Sequence, residues 1–253
     1  MDFLIRQHQQ DKSLSPLFGC PGFSIACCKI DFLHCSDLGV CSDFIGNVMQ
    51  YLIDHKIPGP SALERCGHLY REIDAFYKAN SVEDRMPCLK PSMLKKTAGS
   101  PPKLRAKAAE ARSLVPFVVL ACEKYLDPAD QVELTITQAA MQLNTAYSCL
   151  SPSLWNPDHF EAAVHKFALL YQVLEAHVSD NCHWRIKPKL HLLLELARTR
   201  VNPSLSWTYR DEGFGGTLAL LAKRRGGKFS FLGTSQAMLL KFFASNTVPI
   251  LHS

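Results

Sequence analysis

Apolar side chains recur at helical spacing over most of the chain beyond residue 42. Phe44, Val48, Tyr51 and Leu52 form the first such stripe. Spacings of three and four positions place these side chains on one face of a helix. The pattern therefore predicts an amphipathic helix, which the proline at position 58 ends.

The following helices carry boundary signals as well as apolar stripes. Ser61 and Glu64 stand three positions apart, as in a capping box, and predict a helix that runs to about Lys78. Residues 80–102 contain four prolines and predict a loop. Beyond this loop, helical patterns predict segments at 103–126 with a kink at Pro116, 128–150, 158–179, 188–200, 210–225 and 234–245. The pattern thus predicts about eight helices.

One segment has the character of a strand. Residues 23–33, FSIACCKIDFL, form a short, mostly apolar run. Such a run predicts a buried strand. With helices over most of the remaining chain, the expected fold is mainly α with a small β remnant, and so α+β in class.

Composition excludes several classes of protein. The chain has 253 residues, of which 47% are apolar and 20% charged, so it is not wholly disordered or collagen-like. No apolar run approaches the roughly 20 residues of a membrane span, and the polar N-terminus does not resemble a signal peptide. We therefore expect an intracellular protein. Its ten cysteines include no CxxC pair and are expected to be reduced thiols.

Positive charge is concentrated in one segment, residues 89–112, which we call the basic strip. The strip has seven basic residues and one acid and carries +6, whereas the whole chain carries +5. Such a strip suits a polyanion or an acidic partner, although a solvated linker and helix face would have the same composition. The candidate nucleic-acid contacts are Lys95, Lys96, Lys103, Arg105 and Lys107.

Two groups of acidic residues are candidates for chemistry. Asp31, His34 and Asp37 follow the predicted strand, where a carboxylate and a histidine could hold a hard metal ion. The alternative is that Asp31 caps a turn and His34 packs in the core. Asp211 and Glu212 open a predicted helix, whose dipole also favours acids without any metal.

Three sequence blocks stand in order along the chain: SPLFGCPGFSIACCKIDFLHCSDLGV, IKPKLHLLLELA and WTYRDEGFGG. They resemble the PLF…D-x-hydrophobic-H-x-x-x-LG, PK-x-H-x-x-L-H and W-x-x-R-x-E blocks of the CACTA (En/Spm-type) transposases and their relatives. The matching positions are Asp31, His34, Leu38 and Gly39, then Pro188, Lys189, His191 and Leu194, then Trp207, Arg210 and Glu212. Glu195 replaces the second histidine of the middle block, which departs from the pattern.

The resemblance implies a partial ribonuclease H-like core, in which carboxylates hold two Mg²⁺ or Mn²⁺ ions for DNA-strand cleavage and transfer. It assigns Asp31 and Glu212 as catalytic and metal-binding acids. Residues 1–42 would be the core remnant, 43–200 a helical insertion domain, and 201–253 the helices that complete the core. The first catalytic Asp has no counterpart before Asp31. We therefore expect a transposase-derived fragment that binds metal weakly and is inactive alone.

Two other functions remain open. The chain could be a non-enzymatic helical module that binds nucleic acid or a protein partner through the basic strip, or a transposon relic without activity. DNA is the expected partner and a membrane is not. The expected location is the nucleus if function is retained. Close approach of the Asp31 and Glu212 carboxylates would favour the transposase interpretation.

Overall fold

The computed structural model describes residues 19–95, 97, 99–177 and 183–224, together with 233, 235, 236, 239 and 240. It divides the chain into two compact units, Met1–Ser206 and Trp207–Ser253. The regular secondary structure of the described residues is helical in both units and includes no strand. Most of the helix predicted at 234–245 lies outside the described residues.

The described part of the first unit consists of a π-helix, α-helices and short 3₁₀ turns. The π-helix is Leu33–Cys41, and the 3₁₀ turns are Ile25–Cys27 and Pro203–Leu205. The α-helices of this unit are α1 Ser42–His55, α2 Ala62–Ala79, α3 Pro91–Leu94, α4 Ala108–Ser113, α5 Val115–Tyr125, α6 Gln131–Ser148, α7 Pro157–His177 and α8 Pro188–Arg198. The second unit contains α9, Tyr209–Arg224.

The strand predicted at residues 23–33 is wrong, and so are the α+β class and the partial ribonuclease H-like core. The segment forms a 3₁₀ turn at Ile25–Cys27 and then enters the π-helix. Phe32 and Leu33 are 1% and 2% exposed, so their apolar character reflects burial at a helix start. A short apolar run cannot distinguish a buried strand from a buried helix. The described chain is all-α.

The π-helix and α1 form the centre of the first unit. Phe44 of α1 is fully buried, and its ring centroid lies 5.3 Å from that of Phe167 and 5.7 Å from that of Trp184. The π-helix packs against α1, α4 and α8. A helix surrounded in this way is buried on several faces, which explains why the sequence from 32 to 53 is so rich in apolar side chains.

The remaining helices pack around this centre, and α2, α7 and α8 begin within one residue of the predicted positions. α6 and α7 form the most extensive helix pair, and α7 also packs against α8. Ser61 caps α2 by accepting the backbone N–H of Glu64 at 3.2 Å, which confirms Ser61 as the N-cap. The Glu64 carboxylate accepts from the Ser61 hydroxyl at 3.2 Å. None of the described helices is long and apolar enough to span a membrane.

The predicted helix at 103–126 is instead two helices, α4 and α5, separated at Leu114. Pro116 occupies the first turn of α5. Proline lacks the N–H that an interior helix position would donate, which costs nothing in a first turn, so a helix starts at this point rather than bending. Residues 103–107 are not helical and belong to the segment that approaches α1.

Candidate functional site

Asp31 lies at the start of the π-helix and acts as its cap. One of its carboxylate oxygens, Oδ2, accepts the backbone N–H of His34 at 3.0 Å and lies 2.6 Å from His34 Nδ1. A carboxylate at this position satisfies a helix N–H that has no partner within the helix and complements the helix dipole. The prediction that Asp31 caps a turn is confirmed. The companion prediction that His34 packs in the core is wrong, because its side chain is 53% exposed.

Glu212 lies in the first turn of α9, in the second unit, and is exposed. Its backbone N–H donates to the carbonyl of Thr208 at 2.9 Å. Asp31 belongs to the first unit, so its pairing with Glu212 on Mg²⁺ or Mn²⁺ stays a prediction. Within the described ranges, no three His, Cys, Asp or Glu side chains gather into a group suited to a metal ion.

Asp37 is fully buried inside the π-helix and belongs to a polar network. Tyr147 of α6 donates its hydroxyl to Asp37 Oδ1 at 2.6 Å, and Ser36 Oγ lies 2.9 Å from the same hydroxyl. A phenol has one proton, so Ser36 donates to Tyr147. Burial of the hydroxyl and the neighbouring Asp37 charge raise the pKa of Tyr147 well above its ordinary value. The network therefore ties the π-helix to α6.

The first two sequence blocks that resemble transposase motifs contact each other across 155 positions. Lys189 Nζ donates to the carbonyl of His34 at 2.6 Å, and Cys35 Sγ donates to the carbonyl of Lys189 at 3.4 Å. A Cβ at Gly39 would lie 2.6 Å from Lys189 Cδ, so the glycine gives the lysine stem its room. Burial raises the pKa of Cys35 to about 11, which keeps the thiol protonated at neutral pH.

The basic strip is docked on α1 rather than solvated along its length. Leu94 and Leu104 are buried, and the N–H of Leu104 donates to the carbonyl of Ser42 at 2.8 Å. A Cβ at Gly46 of α1 would lie 2.4 Å from Lys103 Cα and Leu104 N. The strip therefore crosses α1 in direct backbone contact, and the glycine is what allows it to come so close.

The candidate nucleic-acid contacts in the strip occupy different environments. Arg105 and Lys107 are exposed and Lys95 is half-buried, so all three reach the surface. Lys96 lies outside the described residues. Lys103 also contacts the body of the protein, and only about a third of its side chain is exposed.

Asp43, at the start of α1, draws together lysines from distant parts of the chain. Its side chain is buried, and Oδ1 lies 2.8 Å from Lys187 Nζ and 3.8 Å from Lys103 Nζ. Lys103 Nζ also donates to the carbonyl of Leu38 at 2.7 Å. Burial and repulsion from Lys187 and Lys189 lower the pKa of Lys103, against the opposing attraction of Asp43. The site is thus crowded with positive charge.

Sequence reasoning did not assign Arg185 and Lys187 to any site, and it assigned Lys189 only through a motif. The signal was present, because basic residues alternate at 185, 187 and 189 directly before the helix-starting Pro188. The proximity of Lys187 and Lys189 to Lys103 depends on a contact between distant segments, which no local pattern reports.

Comparison with known proteins adds no family to these observations. No protein-family model, curated protein or solved structure matches the chain.

Proposed function

We propose that this chain is a helical module, derived from a CACTA-type transposase, that binds the phosphate backbone of DNA through the basic strip. The observation that carries the proposal is the docking of the strip on α1. Backbone hydrogen bonds and two buried leucines hold the segment in place, while Arg105 and Lys107 remain exposed. Basic side chains on an anchored segment lose less conformational entropy on binding than those of a free linker.

Charge supports a polyanionic partner. The strip carries +6 within a chain of net charge +5, so the positive field is local rather than spread over the protein. Lysine and arginine contacts to phosphate release condensed counterions and supply affinity that is independent of base sequence. The proposal is therefore for backbone binding with little sequence preference.

Contact between two of the three motif blocks supports the ancestry. His34, Gly39 and Lys189 were matched to family motifs separately, and they form one interaction. The contacts of Asp31 support a chain that binds DNA without cleaving it. Its carboxylate already caps the π-helix and contacts His34, and a metal ion would have to compete with both interactions.

The test is a salt series of DNA binding with charge-neutral variants. Lys95→Gln, Arg105→Gln and Lys107→Gln are combined in one protein, since these side chains reach the surface. A control combines Arg71→Gln, Lys78→Gln and Lys166→Gln, which removes the same number of positive charges from exposed positions outside the strip. Fluorescence anisotropy of a labelled short duplex reports the affinity.

Three lost phosphate contacts would flatten the plot of log affinity against log salt by about 2.7, at about 0.9 per contact. Over a fourfold change in salt concentration, that difference in slope changes the affinity by about 40-fold. The control should keep the wild-type slope. If both triple variants changed the slope equally, the strip would contribute only net charge and the proposed interface would be wrong.

A further inference from the structure

Three basic residues that precede or open α8 lie beside the basic strip in space. Arg185, Lys187 and Lys189 line one surface pocket together with Asp43. Lys187 has an extended backbone, at φ −122° and ψ 158°, and Lys103 of the strip reaches the same carboxylate. We call Lys103, Arg185, Lys187 and Lys189 the Arg185 cluster.

The acids that line the pocket do not balance its charge. Among the described residues, the lining holds three cations, Arg185, Lys187 and Lys189, and one carboxylate, Asp43, whose side chain is 7% exposed. The lining itself therefore carries an excess of two positive charges. Other acids lie nearby: Glu175 accepts the N–H of Ile186 at 2.7 Å, and Asp31 and Asp37 act on Cys35 together with Lys189. An excess of positive charge in the lining attracts an anion.

The positions of two ammonium groups are fixed by backbone carbonyls of the π-helix. Lys103 Nζ donates to Leu38 at 2.7 Å and Lys189 Nζ to His34 at 2.6 Å. A lysine ammonium has three N–H donors, so one carbonyl does not exhaust either group. Lys187 is held in the same way by Asp43 at 2.8 Å. The three lysines are therefore held in place before any ligand arrives, which reduces the entropy that they lose on binding.

Arg185 is the exposed member of the cluster. Its guanidinium offers a planar fork of N–H donors that matches two oxygens of a phosphate. We propose that the Arg185 cluster binds a backbone phosphate of DNA and extends the interface of the strip to the start of α8. This inference rests on the proposed function, because it names a second contact point on the same polyanion.

Arg185→Gln tests the inference with little risk to the fold, since the other three cations hold Asp43 or the π-helix. The full-length variant is compared with wild type in the duplex salt series. We expect the slope to fall by about 0.9, or about 3.5-fold in affinity over a fourfold change in salt. Arg185→Lys should restore most of the slope. Arg71→Gln, an exposed arginine on α2, is the matched control and should leave it unchanged.

Failure of the inference and failure of the proposed function give different results. If the strip variant flattens the slope while Arg185→Gln behaves like Arg71→Gln, the cluster is not an interface and the proposed function stands. If wild type does not bind the duplex, both are overturned.

A second measurement separates backbone phosphate from a free anion. The side-chain N–H resonance of Arg185, assigned by its loss in Arg185→Gln, is followed during titration with the duplex and with inorganic phosphate. A shift with the duplex supports the inference. A shift with inorganic phosphate alone would assign the cluster to small anions and overturn the backbone assignment.

Discussion

Replacing Gly46 by alanine should displace the basic strip from α1. The added Cβ would lie 2.4 Å from Lys103 Cα and Leu104 N, whereas ordinary contacts begin at 3.4 Å. Backbone atoms cannot relieve the clash by a change of rotamer, as a flexible side chain can. The strip must therefore move by about 1 Å, and the 2.8 Å bond from the N–H of Leu104 to the carbonyl of Ser42 must lengthen or break.

The expected cost of Gly46→Ala follows from three contributions. Overpacking in a well-packed region costs about 1–3 kcal/mol. Loss of one backbone hydrogen bond adds about 0.5–1.5 kcal/mol. Alanine in a helix interior recovers about 0.5–1 kcal/mol relative to glycine. The net destabilisation is about 0.5–4 kcal/mol with a middle value of about 2 kcal/mol, which corresponds to a fall in Tm of roughly 4–8 °C for a chain of this size.

Gly67→Ala is the matched control, because a Cβ at Gly67 of α2 has no neighbour within 4 Å. It should gain helix propensity without a clash and stabilise the fold by about 0.5–1 kcal/mol. Differential scanning calorimetry and urea titration measure both variants. Amide hydrogen exchange at Leu104 should be faster in Gly46→Ala only. Equal Tm values for the two variants, with unchanged exchange at Leu104, would refute the docking of the strip.

Two further predictions concern the polar groups of the first unit. Burial raises the pKa of Glu133, but hydrogen bonds from a backbone N–H, Lys56 and a tyrosine outweigh it, so the net pKa is lowered. The stability that Glu133 contributes is present above its unfolded pKa of about 4.3 and is lost as pH falls through the lower folded pKa. Glu133→Gln should lower the free energy of unfolding by about 1.5–3 kcal/mol at pH 7 and by much less in acid. Urea unfolding midpoints measured across this pH range test the prediction. Tyr147→Phe removes a hydrogen-bond donor to buried Asp37 and should lower the free energy of unfolding by a similar amount. Tyr171→Phe is the control and should lower it less. Equal urea midpoints for the two tyrosine variants would contradict the network.

Local patterns predicted most helices because their determinants are local. Ser61 caps α2 through a residue three positions away, and α7 and α8 follow stripes that repeat within one or two turns. The error at residues 23–33 has the opposite origin. The π-helix is enclosed by helices from far along the chain, so the apolar run that leads into it shows no helical period, whereas α1 has the clear stripe of Phe44, Val48 and Leu52. Apolar character without periodicity reports burial, and it does not report the type of element.

The candidate site was predictable only in the parts that depend on near neighbours. Asp31 caps the residue three positions after it, which sequence reasoning stated as one of two alternatives. The network around Asp37 requires Tyr147, 110 positions away. The contact between Lys189 and His34 spans 155 positions. Such pairs depend on how helices pack, and one sequence carries no direct record of that packing.

The charge that a polyanion meets differs from the charge of the strip as read along the sequence. Glu110 accepts the backbone N–H of Lys107 at 2.9 Å, and Lys103 shares the carboxylate of Asp43 with Lys187. The +6 already counts Glu110, and the charge of Lys103 is in addition directed toward the buried Asp43. Lys187 and Lys189 add positive charge near Lys103, which belongs to the strip in sequence and to the Arg185 cluster in space. A steep salt dependence should therefore require both segments, and a peptide of the strip alone should bind DNA with a smaller slope than the folded chain.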